Sequence, residues 1–298
     1  MAGKVLAAGL LLALFLTWPR PVPAGEVSLD HGAKTPERMT LCGEPVPLED
    51  RLVYESLDQQ LIIAAGNEDR VLVWLRLAGR YFPHIEKRLK EEGLPSDLKY
   101  AAVSRTSLRP DFQSRAGQAG LWSLNEGVAR RYGLRLDKDM DERLDFERST
   151  EAALKYFRDL YALFGQWALA LAAFDCGEGC VAEAVKEQEE RDFYRLFLPP
   201  ATEQFVLRVA AVKEVMENPG LYGYAWDPKR AYPPLETDKV QVTLAEPVHL
   251  TRAARAVGLD YKTIKELNPG LLGDYLPQGS YILSVPAGLG GRMESFLK

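Results

Sequence analysis

Apolar residues recur at helical spacing along the first two thirds of the chain. Leu57, Leu61 and Ile62 predict one helix and Val71, Leu72, Leu75 and Leu77 a second, separated by Gly66-Asn67. The second stripe continues through Phe82, Ile85 and Leu89 despite Pro83 and stops at Gly93, after which Pro95-Ser96-Asp97 predicts a new start for a helix over 98–104. Ser149-Thr150 followed by Glu151 reads as a capping pair for the stripe Leu154, Phe157, Leu160, Tyr161 and Phe164, which ends at Gly165. A short apolar helix over 167–174 runs into Asp175-Cys176-Gly177-Glu178-Gly179-Cys180, and a last one over about 202–217 closes at Asn218-Pro219-Gly220. No alternating run predicts a strand before residue 220.

The pattern then changes. Residues 222–234 are rich in Gly, Pro and aromatics and read as a linker. Val240, Val242 and Leu244 alternate with polar residues, as do Tyr281, Leu283 and Val285, which predicts two half-buried strands. Between them lie two short helices, 251–257 and 260–267, divided by Gly258 and stopped by Asn268-Pro269. The fold class is therefore mainly α, a helical domain over 48–220 followed through a linker (221–236) by a small βααβ module (237–287) and a C-terminal tail (288–298), with a polar lead over 25–47 in front.

Composition excludes several classes. With 37 Lys+Arg against 42 Asp+Glu and a net charge of −5 in 298 residues, the chain lacks the positive footprint of a nucleic-acid binder. His31, His84 and His249 are scattered and the three cysteines show no ligand spacing, so no metal and no cofactor is expected. Lys4, an apolar run over 5–16 and Val22-Pro23-Ala24 predict a Sec-type signal peptide (1–24) cleaved near Ala24, and hence a place in the periplasm or cell envelope. That run is too short to cross about 30 Å of hydrocarbon. Cys42 lies beyond Asp30, Lys34, Glu37 and Arg38, too far from the apolar run for a lipid anchor. Cys176 and Cys180 either bridge locally, leaving Cys42 unpaired, or stay reduced with Cys176 as a small buried residue.

Five blocks carry a resemblance: Pro110-Asp111-Phe112-Gln113-Ser114-Arg115-Ala116-Gly117-Gln118-Ala119-Gly120-Leu121-Trp122, then Arg131-Tyr132-Gly133-Leu134, Asp141-Glu142-Arg143, Ser149-Thr150-Glu151-Ala152-Ala153, and the stretch from Leu169 through Phe174-Asp175-Cys176-Gly177-Glu178-Gly179. In this order they resemble the lytic transglycosylase domain of murein transglycosylases of the D type over about 70–190, and the βααβ tail is similar to a LysM module, with Ala245-Glu246-Pro247 in place of its usual Gly-Asp-Thr. The resemblance implies a fold like that of goose-type lysozyme. It implies cleavage between N-acetylmuramic acid and N-acetylglucosamine, with peptidoglycan glycan strands as partner. One carboxylic acid would protonate the leaving oxygen and then deprotonate the sugar's own C6 hydroxyl, where other glycosidases use two carboxylates. Such an acid needs its pKa raised by an apolar pocket.

The chain departs from the family at that acid. The Glu-Ser-x-Phe-x-Pro pattern falls on Arg105-Thr106-Ser107-Leu108-Arg109-Pro110, so the catalytic glutamate is replaced by Arg105. A guanidinium presents only donors and does not release its proton at neutral pH. The family's Gly-Leu-x-Gln ends here in Ser123, and its Tyr-Asn becomes Phe174-Asp175. Asp111, Glu126 and Glu178 are the acids that could substitute, each of which also reads as an ordinary surface or first-turn charge. The resemblance places substrate binding at Ser114, Gly117, Gly120, Leu121, Trp122 and Gly177; turn glycines and a core tryptophan are the structural alternative. Three readings follow: a glycan-binding protein that has lost lytic activity, an active transglycosylase with a relocated acid, and an envelope scaffold that binds another protein.

Overall fold

The computed structural model describes residues 34–298; the predicted signal peptide and the start of the lead lie outside the described residues. The chain opens with a short antiparallel hairpin, β1 (Met39–Leu41) and β2 (Glu44–Val46), in the register Met39 opposite Val46. The polar lead hid these strands because three residues each are too few for a period to show. The hairpin is held from three directions. Asp97 accepts from the Cys42 N–H at 2.8 Å and from Lys213 Nζ at 2.7 Å, and Glu44 accepts from the Trp167 N–H at 2.8 Å.

Eight helices follow: α1 (Arg51–Ala65), α2 (Glu68–Glu91), α3 (Lys99–Thr106), α4 (Glu126–Arg131), α5 (Phe146–Phe164), α6 (Trp167–Cys176), α7 (Glu178–Gln188) and α8 (Pro200–Glu217). Local chemistry sets half of the starts: the Asp50, Asn67, Asn125 and Asp145 side chains each accept a first-turn N–H. The α5 cap, Asp145, thus lies four residues before the predicted Ser149-Thr150 cap. Both residues are fully buried inside the helix, Thr150 donating back to the Phe146 carbonyl at 2.7 Å. α6 is buried on every side from Trp167 to Phe174 and forms the centre of the helical core, against α5, α7 and α8.

The C-terminal module pairs β3 (Thr237–Leu244) with β6 (Gly279–Pro286), antiparallel with Val240 opposite Leu283, and places α9 (Leu250–Ala256) and α10 (Tyr261–Leu267) between them. A small ladder joins β4 (Val248–His249) to β5 (Tyr275–Leu276). Asn268 ties α10 to β6, with Nδ2 donating to the Ile264 and Ser284 carbonyls and Oδ1 accepting from the Ser284 N–H at 2.7 Å. The predicted tail contains α11 (Gly290–Leu297), whose Met293 is fully buried in the module's core, so the module runs to the last residue.

The stretch 221–236 is strapped to the helical domain rather than free. The Tyr232 N–H donates to the Arg76 carbonyl at 2.9 Å, Arg80 lies over the Tyr232 ring, and a Cβ on Gly79 would come within 2.5 Å of the Ala231 Cβ. The module also docks directly: Met140 is buried in its core, Asp141 and Leu272 exchange backbone bonds with Gly270 and Asp139, and Lys239 pairs with Glu147 at 2.8 Å. Among the described residues no helix is long and apolar enough to cross a membrane.

Candidate functional site

α3 delivers Arg105 from its last turn. The helix ends because Ser107 and Leu108 both take left-handed backbone, with φ of 56° and 60°. Thr106 Oγ1 then donates to the Leu121 carbonyl at 2.8 Å and so fixes the following loop to the helix. Within that loop the Ser114 N–H donates to the Gln118 carbonyl at 2.8 Å, and Ser114 Oγ accepts from the Gln118 N–H at 3.0 Å. Gly117 and Gly120 have φ of 82° and 79°. A Cβ on Gly120 would lie 1.7 Å from the Arg143 carbonyl oxygen, so only glycine fits there. Arg143 clamps the loop, donating to the Gly117 and Leu124 carbonyls while paired with Asp141 at 2.7 Å.

This geometry divides the predicted binding set by exposure. Leu121 and Trp122 are completely buried, and Trp122 Nε1 donates to Thr150 Oγ1 at 2.9 Å. They are core residues beneath the loop, with no side-chain surface to offer a glycan. Gly120 is likewise buried, whereas Ser114, Gly117 and Gly177 keep exposed surface; Gly177, at φ 94°, carries the chain from α6 into α7.

Arg105, Phe174 and Asp175 do meet. The Arg105 guanidinium ion-pairs with Asp175 Oδ1, the two side chains being only 12% and 18% exposed. Thr202 Oγ1, from α8, donates to the other carboxylate oxygen at 2.8 Å. The guanidinium carbon lies 5.9 Å from the Phe174 ring centre and 5.4 Å from that of Phe205. Phe174 in turn stacks on Phe157 at 4.2 Å. Burial pushes the Arg105 pKa down, Asp175 pulls it back up, and Arg208 pushes it down again. Even so lowered, a guanidinium remains a cation at neutral pH. Ser123 is buried at the end of the loop turn with φ of 54°.

The three fallback acids lie elsewhere in the bonding network. Asp111 is exposed and faces Arg109 at 3.3 Å, and Glu126 is an exposed first-turn residue paired with Arg130 at 2.8 Å. Glu178 opens α7, ion-pairs with Arg131 and accepts from Tyr156 Oη at 2.9 Å. Partial burial works to raise its pKa, but the bonds from Arg131 and Tyr156 prevail and hold the carboxyl below its ordinary value. That is the opposite of what a proton donor at neutral pH requires. Cys176 and Cys180 are joined in a disulfide that brackets Glu178, and Cys42 is free and buried.

Sequence reading missed Thr202, Arg208 and Arg143. The pairing of Arg105 with Asp175 was missed as well, although a base at one position and a new acid at the other are opposite charge changes, which was the available signal.

Residues 83–197 match the Transglycosylase SLT domain. The chain therefore carries a lytic transglycosylase domain over this stretch. More narrowly, residues 236–298 match the LysM-like domain of the lytic transglycosylase MltD. Membrane-bound lytic murein transglycosylase D from Escherichia coli K12 is 31% identical over 215 residues, 69% of this chain and 46% of that protein, and its counterpart from E. coli O6:H1 strain CFT073 gives the same figures. The chain thus spans about half the length of the curated relatives it matches. Among solved structures, an inactive mutant of the lytic transglycosylase Slt from Pseudomonas aeruginosa aligns over 51% of this chain and 26% of its own at 21% identity, with a TM-score of 0.40.

Proposed function

We propose that the protein binds peptidoglycan glycan strands in the cell envelope with a transglycosylase domain that no longer cleaves them. The observation that carries this reading is the Arg105–Asp175 pair in the place of the catalytic acid. A general acid needs a carboxyl that is both protonated near neutrality and free to reach the leaving oxygen. Position 105 offers a cation with donors only, and Asp175 already accepts from Arg105 and Thr202. Binding outlasts such a change because groove shape holds the sugar, whereas the acid acts chiefly in the transition state. The envelope location rests on the predicted signal peptide and on the membrane-bound relatives.

The test is digestion of purified sacculi with the chain from residue 25 onward, followed by mass spectrometry and by co-sedimentation. The expected result is co-sedimentation without 1,6-anhydromuropeptides. Anhydro products abolished by Asp111→Asn, Glu126→Gln or Glu178→Gln would replace this reading with an enzyme using a relocated acid. Failure to sediment would favour a scaffold for another envelope protein.

A further inference from the structure

The charge around the Arg105–Asp175 pair does not balance. Arg208 projects from α8 toward the end of α3, where its Nε donates to Ser104 Oγ at 3.2 Å. It has no carboxylate within 4.0 Å among the described residues. Asp175 cannot serve it fully, since one oxygen accepts from Arg105 and the other from Thr202. Of two largely buried guanidinium groups at the end of α3, only Arg105 is therefore paired with a carboxylate. Burial lowers the pKa of Arg208, Asp175 opposes this, and Arg70 adds a second depressing charge from α2. Arg70 itself lies 5.2 Å over the Trp74 ring, and the buried Arg70 Nε and Trp74 Nε1 have no acceptor among the described residues. Trp74 is 4% exposed, so water cannot freely complete its bond. Arg105 and Arg208 thus bring two positive charges to a place with one carboxylate, in a chain of net charge −5. The complement of such a site is an oxyanion, which a guanidinium grips through two parallel hydrogen bonds.

We propose that Arg105 and Arg208 form a recognition site for the carboxylate of an acidic amino sugar. This rests on the reading that the protein binds glycan and narrows it. N-acetylglucosamine carries no charge, whereas the lactyl group of N-acetylmuramic acid ends in a carboxylate wherever no peptide is attached to it. The substitution that removed a proton donor would then have converted the site from cleaving a sugar bond to reading the acid group of a bare glycan strand. Asp175 acts as an internal competitor for Arg105, so the site is held in balance until an outside carboxylate arrives.

The test is calorimetric titration of the chain from residue 25 onward with N-acetylmuramic acid, N-acetylglucosamine and inorganic phosphate. The acidic sugar should bind roughly tenfold tighter than the neutral one, the scale of one charge-assisted contact. Arg208→Gln should abolish that preference with helical circular dichroism unchanged. Asp175→Asn should tighten binding of the acidic sugar several-fold, because it removes the competing carboxylate. A purely structural role for the pair predicts weakening instead. Equal binding of the two sugars, phosphate displacing the acidic sugar at equal concentration, or weaker binding in folded Asp175→Asn would each overturn the proposal. Should Asp175→Asn fail to fold, Arg208→Gln decides alone. Sacculus binding without acid-sugar preference would sink this inference and leave the wider reading standing; loss of sacculus binding would sink the wider reading first.

Discussion

Restoring the family's residues at 105 and 175 should be strongly non-additive. Removing one partner of a fully buried ion pair costs about 3–5 kcal/mol, because the survivor stays buried and unpaired. Arg105 and Asp175 retain 12% and 18% exposure, which lets water recover part of that loss and brings the expected cost of Asp175→Asn to about 2–4 kcal/mol. Arg105→Glu alone sets two carboxylates against each other in the same enclosure, with only Thr202 and the nearby Arg208 to relieve them, and should cost at least as much. The double variant joins Glu to Asn, a pair that can hydrogen-bond without clashing charge, so a coupling of about 2 kcal/mol or more should appear. Urea denaturation followed by circular dichroism gives each cost from the midpoint, with the slope checked for constancy. Free energies of the single variants that sum to the double within about 0.5 kcal/mol would refute the argument that the two residues act as one unit. Catalysis should stay weak even in the stable double variant, because Ser123 and Phe174 still lack the groups that orient the acid. Adding Ser123→Gln and Phe174→Tyr should raise anhydromuropeptide release above the sum of the separate gains.

Gly120→Ala should abolish or severely reduce soluble yield, since its Cβ would meet the Arg143 carbonyl at 1.7 Å and its φ is 79°; Gly117→Ala, with open space around it, should cost only about 1–2 kcal/mol of left-handed strain in a thermal melt. Asp145→Asn should stabilise the protein at neutral pH, because burial raises this carboxyl's pKa and Asn caps a helix equally well. The sign follows from linkage: a raised folded-state pKa gives stability that is full below the unfolded value and lost as pH rises, so the gain from Asn should vanish in acid melts. Truncation after residue 236 should lower the melting temperature while keeping helical circular dichroism, since it bares Met140, worth about 1.5–3 kcal/mol, and breaks the Lys239–Glu147 pair. Reducing the Cys176–Cys180 bridge should cost about 2 kcal/mol by the loop-entropy relation, read as a shift in urea midpoint with and without reductant.

Long periodic elements were legible in the sequence, and short or cooperative features were not. α1, α2 and α8 follow from their apolar spacing, because four or more turns facing one core leave a repeated signature, and α6 from an unbroken apolar run that is buried on every side. The hairpin at Met39–Val46 and the eight-residue α11 lack enough repeats to betray a period. Ser149-Thr150 read as a cap because serine and threonine before a glutamate usually are one; here the Thr150 hydroxyl instead receives Trp122 Nε1, a partner 28 positions away. At the site, Arg105 stood out from one motif, while its counter-ion stands 70 positions further on and Thr202 another 27 beyond that. Local spacing cannot report a contact that only the packing of α3, α6 and α8 creates.

The same packing decides which charge position 105 can hold. A general acid on α3 needs a pocket dry enough to raise a carboxyl's pKa, and burial disfavours charge whichever sign it carries. The downward push that burial gives Arg105 is therefore the same physical effect that would push a glutamate upward at this position. The desolvating walls, among them Phe174 and Phe205, remain in place around position 105. Within them Asp175 makes the enclosure tolerable for a cation and hostile to a second carboxylate. A paired arginine, beside a second arginine without a carboxylate of its own, favours an anion at this place.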